Sequence, residues 1–317
     1  MPSKLDQLKA MTTVVADTSD IDAIRRFGAV DATTNPSLIL KAARMPNYAR
    51  ILDEAILWGR DRNHLTSEIT DRLALMFGVE LSKIVPGRIS TEVDADLSFD
   101  TVGTVTKAGQ IITEYEKLGL NHKRILIKIA ATWEGIRAAE ILQREGIDCN
   151  MTLVFSLTQA AACADAGAYL ISPFVGRILD WYTKNEGKTY TAETDPGVLS
   201  VRQIYHYYKA HQIETIVMGA SFRNKGEIEA LAGCDRLTIS PQLLEELAND
   251  KGDLPRKLDP KTAVHPPAKL SLDEKTFRFM LNEDAMATEK LAEGIRVFSR
   301  DLHALRELVS KHMHEAA

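Results

Sequence analysis

The chain has 317 residues, 45% hydrophobic and 26% charged, a composition that suits a globular protein large enough to bury a substantial core. Its formal net charge is −5 and its sequence pI about 6.0, with no block rich in lysine and arginine, which argues against nucleic acid or an anionic membrane surface as a partner. The opening MPSKLDQLKAMTT has no apolar core or cleavage pattern, and no stretch nears the roughly 18 apolar residues of a membrane span, so a cytoplasmic enzyme or binding protein is expected.

Along the chain, short apolar or β-branched runs alternate with longer amphipathic segments. The runs VVADT (14–18), DATTN (31–35), GRISTEVDA (87–95), ILIKIA (125–130), NMTLVF (150–155), YLISPFV (169–175), TIVMGASF (215–222) and RLTIS (236–240) predict eight strands. Between them, NYARILDEAILWGRD, TSEITDRLALMFGVELSKI, TVGTVTKAGQIITEYEKLG and EGIRAAEILQREG repeat apolar residues at three- and four-residue intervals and predict helices. Several end in glycine, as helix C-termini often do. Eight strand–helix pairs in one chain of this size point to a (β/α)8 TIM barrel. The competing fold is a doubly wound sheet, but no GxGxxG or GxxxxGK[ST] loop opens any of these helices.

The polar stretch 183–197 is expected as an excursion after the sixth strand, not a domain boundary. After the eighth strand, LPRKLDPKTAVHPPAKL reads as a proline-punctuated connector to a long helix in which Leu291, Ile295, Phe298, Leu302, Leu305 and Val309 recur in steps of four and three. That stripe predicts a helix packed on the outside of its own barrel; a coiled-coil seam would need more heptads. The whole of 1–317 is therefore read as one barrel domain with extra C-terminal helices from about residue 270.

Lys128 is the residue out of place, because it interrupts the apolar run ILIKIA. In a barrel strand alternate side chains face the interior, so Lys128 and Ala130 share one face while Ile125, Ile127 and Ile129 share the other. If the lysine points inward it enters a partly dehydrated pocket, an environment that disfavours an ammonium and favours a nucleophilic amine able to form a Schiff base. The plainer alternative is a lysine that snorkels to the rim and pairs with a carboxylate. Its neighbours favour chemistry. Asp17 ends the first strand, Asn35 the second, Glu92 and Asp94 lie in the third, and Asn150 and Thr152 begin the fifth, so all converge if the strands run one way. Asp17 and Asn35 also have the look of turn or helix-capping residues. A lysine, carboxylates and a hydroxyl in one cavity are the minimum for making an imine and breaking a carbon–carbon bond, since both steps move protons.

A second group, Ser172 and Arg177 in SPFVGR and Ser221 and Arg223 in GASFRN, suits a phosphate, which arginine grips in bidentate fashion. The alternative is surface arginines paired with nearby acids. Phe174 stands among these residues as a substrate contact, although aromatics such as Phe174 and Trp133 are more often core, and Trp133 follows the lysine strand closely enough to line a pocket. Cys149, Cys163 and Cys234 form no CxxC pair or metal-ligand spacing, and their odd number fits a reducing compartment. The eight histidines contain no HExxH, and His312 and His314 lie in the C-terminal tail, so no metal is expected.

Taken in order, DATTNPSLIL, VPGRISTEVDA, ILIKIAATWEGIRAAE, CNMTLVFS, LISPFVGRILDWY and MGASFRN closely resemble the transaldolase family in its long form with extra C-terminal helices, a match running from TTVVADT to LAEGIR. The resemblance implies one (β/α)8 barrel, no metal or organic cofactor, a homodimer, and transfer of a dihydroxyacetone unit between sugar phosphates in the pentose phosphate pathway. It implies Lys128 as the Schiff-base lysine and Asp17 as the group that takes and returns the hydroxyl proton, with Glu92 and Thr152 managing protons through a bound water. Asn35, Asn150 and Ser172 would hold sugar hydroxyls, and Arg177, Ser221 and Arg223 the phosphate. Three alternatives remain open: a fructose-6-phosphate aldolase-type enzyme that releases dihydroxyacetone, a catalytically silent phosphosugar-binding barrel, and a metal-dependent aldolase, for which no ligand cluster is seen.

Overall fold

The computed structural model describes residues 2–18, 20–61, 64–262 and 268–315. Eight parallel strands close into a barrel in the order of the chain: β1 (Thr13–Asp17), β2 (Asp31–Thr33), β3 (Ile89–Glu92), β4 (Ile125–Ala130), β5 (Cys149–Val154), β6 (Leu170–Pro173), β7 (Ile216–Gly219) and β8 (Arg236–Ile239). β1 pairs with both β2 and β8, which leaves no edge strand. The fold is thus the TIM barrel with added C-terminal helices that the alternation predicted.

Capping residues end the strands and launch the helices at the barrel mouth. Asn35 accepts from Leu38 N at 2.9 Å and is followed by Pro36, pre-set for a first helical turn, so the helix Pro36–Ala43 begins immediately beyond β2. Thr132 caps the helix Trp133–Arg144 after β4, accepting from Gly135 N at 2.9 Å, and Asp195 caps Pro196–Ala210, accepting from Gly197 N at 2.8 Å.

Inside the barrel, Val15, Leu126, Leu170 and Met218 form an apolar cluster. A polar layer is tied together by hydrogen bonds: Thr33 Oγ1 to Thr238 Oγ1 at 3.1 Å, Asn150 Nδ2 to Ser90 Oγ at 3.0 Å, and Ser172 Oγ to Asn150 Oδ1 at 2.7 Å. Hydrogen bonds of this kind offset the cost of burying these polar groups. The main core lies outside the barrel, between the strands and the helices.

β5 carries an irregularity with consequences for the site. Its pairing with β6 shifts register between Met151 and Val154, so one extra residue is accommodated, and Leu153 takes φ +56°. This is a bulge with a left-handed residue, costly for leucine, and it turns Leu153 toward the C-terminal helix Ala285–Glu315.

That helix departs from the expectation. It lies across the barrel mouth as well as along the outside. Leu291, Ile295 and Phe298 pack with Leu153, Phe155 and Phe174 over the strand ends, while Leu305 and Val309 pack against the helices Pro36–Ala43, Ala49–Asp61 and Thr66–Ser82. The approach is close at Gly294, where a Cβ would stand 2.6 Å from Leu153 Cδ2. The 183–197 excursion is shorter than its composition suggested, because the helix Gly176–Glu186 runs into it and Pro196 opens the next helix. The proline-punctuated connector lies in part, at 263–267, outside the described residues.

Candidate active site

Lys128 points into the barrel from β4 and is only 5% exposed. The register sets Glu92 of β3 and Asn150 of β5 on either side of it. Its Nζ donates to the Thr34 carbonyl at 3.2 Å and stands 3.5 Å from Glu92 Oε2. The second distance is an ion pair's and longer than a close hydrogen bond, and no donor among the described residues satisfies Glu92 Oε2. Thr152 Oγ1, likewise buried, has no partner among the described residues.

Asp17, Asn35, Lys128, Thr152, Ser172, Phe174, Arg177 and Ser221 line one narrow cavity of about 60 Å³. Three of the other residues singled out lie beside it. Glu92 faces a narrow recess with Ala130, Leu153 and Phe298. Asn150 is fully buried and connects Ser90 to Ser172. Arg223 lies in the loop after β7, half-exposed and paired with Asp180 at 2.7 Å. Asp94 does not converge on the cavity: it pairs with Arg306 at 2.7 Å and with Lys107 at 3.3 Å. Trp133 stacks tilted on Phe277, 5.4 Å between centroids, and is not among the residues around the cavity.

The electrostatics follow from burial. Asp17 accepts from Thr33 Oγ1 at 3.2 Å. Burial raises its carboxyl above the ordinary carboxylate value, while Lys128, Thr33 and Arg177 pull the other way. Glu92 is raised for the same reason, with Lys128 and then Arg177 opposing. Arg177 sits 4.9 Å over the Phe174 ring and 5.4 Å from that of Phe298, with no carboxylate at ion-pair distance among the described residues. Burial and the neighbouring Arg223 lower its pKa, against Glu293, Glu92 and Asp17. A cation held between two rings and uncompensated in this way is a ready partner for an anion.

Several residues of the site carried no distinct sequence signal. Thr33 and Thr238 orient Asp17 from β2 and β8, and the alternation in DATTN and RLTIS is their only trace. Phe298 lines the cavity from the C-terminal helix, its ring centroid 6.0 Å from Lys128 Nζ, yet in the sequence it is one member of an apolar stripe. No helix among the described residues is long and apolar enough to cross a membrane, and these residues contain no group of three or more His, Cys, Asp or Glu that could hold a metal ion.

The profile of the family described as Transaldolase/Fructose-6-phosphate aldolase matches residues 14–309. The chain is 64% identical over 321 aligned positions to a protein named Transaldolase from Rhizobium etli (strain CIAT 652), all of both chains being covered. It is 63% identical over 321 positions to one of that name from Agrobacterium fabrum, again with full coverage. It is also 60% identical over 311 positions to one from Marinomonas sp., covering 97% of this chain and 98% of that protein. With a buried inward lysine at the centre of a closed eight-stranded barrel, and with likeness on this scale along its whole length, the chain belongs to the transaldolase/fructose-6-phosphate aldolase family.

Proposed function

We propose that this protein is a transaldolase. It transfers a dihydroxyacetone unit from fructose 6-phosphate or sedoheptulose 7-phosphate to erythrose 4-phosphate or glyceraldehyde 3-phosphate. The observation that carries the reading is the Lys128 amine, 3.5 Å from Glu92 and facing a cavity that Asp17 shares.

The chemistry follows the groups. Lys128 Nζ adds to the ketose carbonyl, and loss of water leaves a protonated imine that serves as the electron sink. Glu92 Oε2 and Thr152 Oγ1, buried oxygens left without a hydrogen-bond partner among the described residues, handle the water that imine formation releases and hydrolysis consumes. Asp17 takes the proton from the C4 hydroxyl as the C3–C4 bond breaks, and the electron pair of that bond becomes the enamine. An aldose phosphate then accepts the three-carbon unit as Asp17 returns the proton. Asn35 and Ser172 hold sugar hydroxyls, with Asn150 fixing the Ser172 hydroxyl from beneath. Phe174 and Phe298 wall the pocket, and Arg177, Ser221 and Arg223 take the phosphate. This chemistry calls for no metal or organic cofactor.

The family also includes fructose-6-phosphate aldolases, which release dihydroxyacetone without an acceptor. Relatives at 60–64% identity that bear the name Transaldolase favour the transferase. The same reading treats residues 1–317 as one domain with a helical extension from about 270, a homodimer in the cytoplasm. The three unpaired, buried cysteines suit a reducing compartment, and the exposed Phe99 and Val102, 65% and 76% accessible, suit a covered surface. A coupled assay for glyceraldehyde 3-phosphate tests the activity. Production from fructose 6-phosphate that requires erythrose 4-phosphate supports the transferase, whereas equal production without acceptor identifies an aldolase.

A further inference from the structure

The loops that carry Arg177 and Arg223 are locked together behind the cavity. Val175 N donates to Ala220 O and Gly176 N to Ser221 O, each at 2.9 Å. A Cβ on Gly176 would lie 2.5 Å from Arg223 Cγ. Ser221 takes φ +62°, a left-handed conformation that a serine holds only when its surroundings impose it.

Two buried carboxyls complete this lock. Glu227 is wholly buried in the helix Lys225–Ala230, which Asn224 caps. Its Oε2 accepts from Arg223 N at 2.6 Å. Its Oε1 receives no N–H or O–H from any described group, and it is the Asp195 carboxyl with which the Glu227 side chain hydrogen-bonds. Asp195 is 2% exposed and already accepts from Gly197 N at 2.8 Å and Val198 N at 3.3 Å. Gly197 in turn lies so close to Val175 that a Cβ would stand 2.1 Å from its carbonyl oxygen. Two carboxyls that meet away from water share a proton.

We propose that Glu227 is a positioning residue for the phosphate site: as a neutral carboxyl it donates to Asp195 and accepts from the Arg223 backbone, clamping the loop after β7 to the segment that supports Arg177. The proposal rests on the phosphate role assigned to Arg177, Ser221 and Arg223 above. Burial first, and the Asp195 carboxylate after it, push the Glu227 carboxyl up to about 7, so the clamp weakens as pH rises through neutrality. Asp195 is raised by its own burial, but the hydrogen bond from Glu227 lowers it, which leaves the shared proton on Glu227. The other charges around the pair are already engaged. Asp180, which faces Asp195 from the helix Gly176–Glu186, pairs with Arg223. Lys225 and Glu229 pair with Asp250 and Lys4, and Arg202 with Glu193.

The test uses inorganic sulfate, a phosphate mimic that stays dianionic through this range, with its affinity measured by calorimetry on the full chain and by competition with fructose 6-phosphate. Between pH 6.0 and 8.5 (an interval of roughly 2.5 units set around the Glu227 value), wild-type affinity should fall about fivefold or more. Glu227→Gln, which keeps the donor to Asp195 but cannot ionise, should hold the pH 6.0 affinity throughout, and Glu227→Ala should bind weakly at both ends. A Glu227→Gln profile that falls in parallel with the wild type, or a flat wild-type profile, overturns the proposal. Sulfate binding with the expected profile in a protein that turns over no ketose phosphate refutes the proposed activity and leaves the clamp standing; no sulfate binding at either pH refutes the phosphate site and the clamp together.

Discussion

Phe298 is the residue on which closure of the pocket turns, and Phe298→Ala is its most informative perturbation. The side chain is 2% exposed, and it packs with Leu153, Phe155 and Phe174 at the barrel mouth. Truncating a buried phenylalanine costs about 3–5 kcal/mol. Because this ring already borders a cavity that water can enter, the low end applies, and loss of the ring facing Arg177 at 5.4 Å and Lys128 at 6.0 Å adds at most about 1 kcal/mol. A loss of about 3–4 kcal/mol leaves most domains folded. Urea denaturation measures it directly. Phe298→Leu, which retains most of the apolar volume, should lose only about 1 kcal/mol. The functional effect is separate: with the ring gone, solvent should reach the enamine proposed on Lys128, where water competes with the aldehyde acceptor. Free dihydroxyacetone released per transfer should rise about tenfold in Phe298→Ala, an effect equivalent to ~1.4 kcal/mol in the partition. A loss of stability under about 1 kcal/mol with an unchanged release ratio would refute the view that the C-terminal helix closes the site.

In the proposed mechanism Asp17 must be ionised to accept the C4 hydroxyl proton, and burial raises its carboxyl above the ordinary carboxylate value of 3.8. The transfer rate should therefore fall on the acid side with a limb above that value, and Asp17→Asn should abolish transfer while still forming the imine; a pH–rate profile of kcat with borohydride trapping of the variant checks both. Glu227 titrates in the fold near 7 against an ordinary 4.5, so the native state binds the extra proton and wild-type stability declines as pH rises from 4.5 to 7. At about 1.4 kcal/mol per pKa unit, the decline amounts to about 3 kcal/mol. It should be missing from the unfolding free energy of Glu227→Gln, and an identical pH slope in the two proteins would contradict it. The thiols of Cys149, Cys163 and Cys234 are buried, and burial raises all three, that of Cys234 to about 12. A chromogenic disulfide reagent should label none of them in the native protein at pH 8 (about the ordinary thiol value) and all three in denaturant; fast native labelling would argue for an open, fluctuating barrel.

The barrel was legible in the chain because its strands are short runs of β-branched and apolar residues and its helices longer segments of a different period, with caps such as Asn35–Pro36 between them. Lys128 stood out for the same reason, as the charge in a run that had no other. What escaped depends on the third dimension. Phe298 has the same periodicity as Leu305, yet one faces the cavity and the other the helix Pro36–Ala43; an apolar stripe states that a face is buried and not what it covers. Asp94 alternates correctly with Glu92, but β3 ends at Glu92 and the backbone turns into a 3-10 segment, which redirects Asp94 to Lys107 and Arg306. The Leu153 bulge has no glycine to announce it, since packing against the C-terminal helix offsets the strain. The Asp195–Glu227 pair joins residues distant in sequence, each of which reads alone as an ordinary surface acid.

In the proposed mechanism Lys128 forms the imine on which the bond breaks. Intact-protein mass spectrometry after borohydride reduction in the presence of fructose 6-phosphate tests it directly, with wild type beside Lys128→Met. An adduct with the mass of one reduced dihydroxyacetone unit is expected on the wild type and none on the variant. An equal adduct on Lys128→Met, or no adduct on a wild type that turns over the substrate, would contradict it.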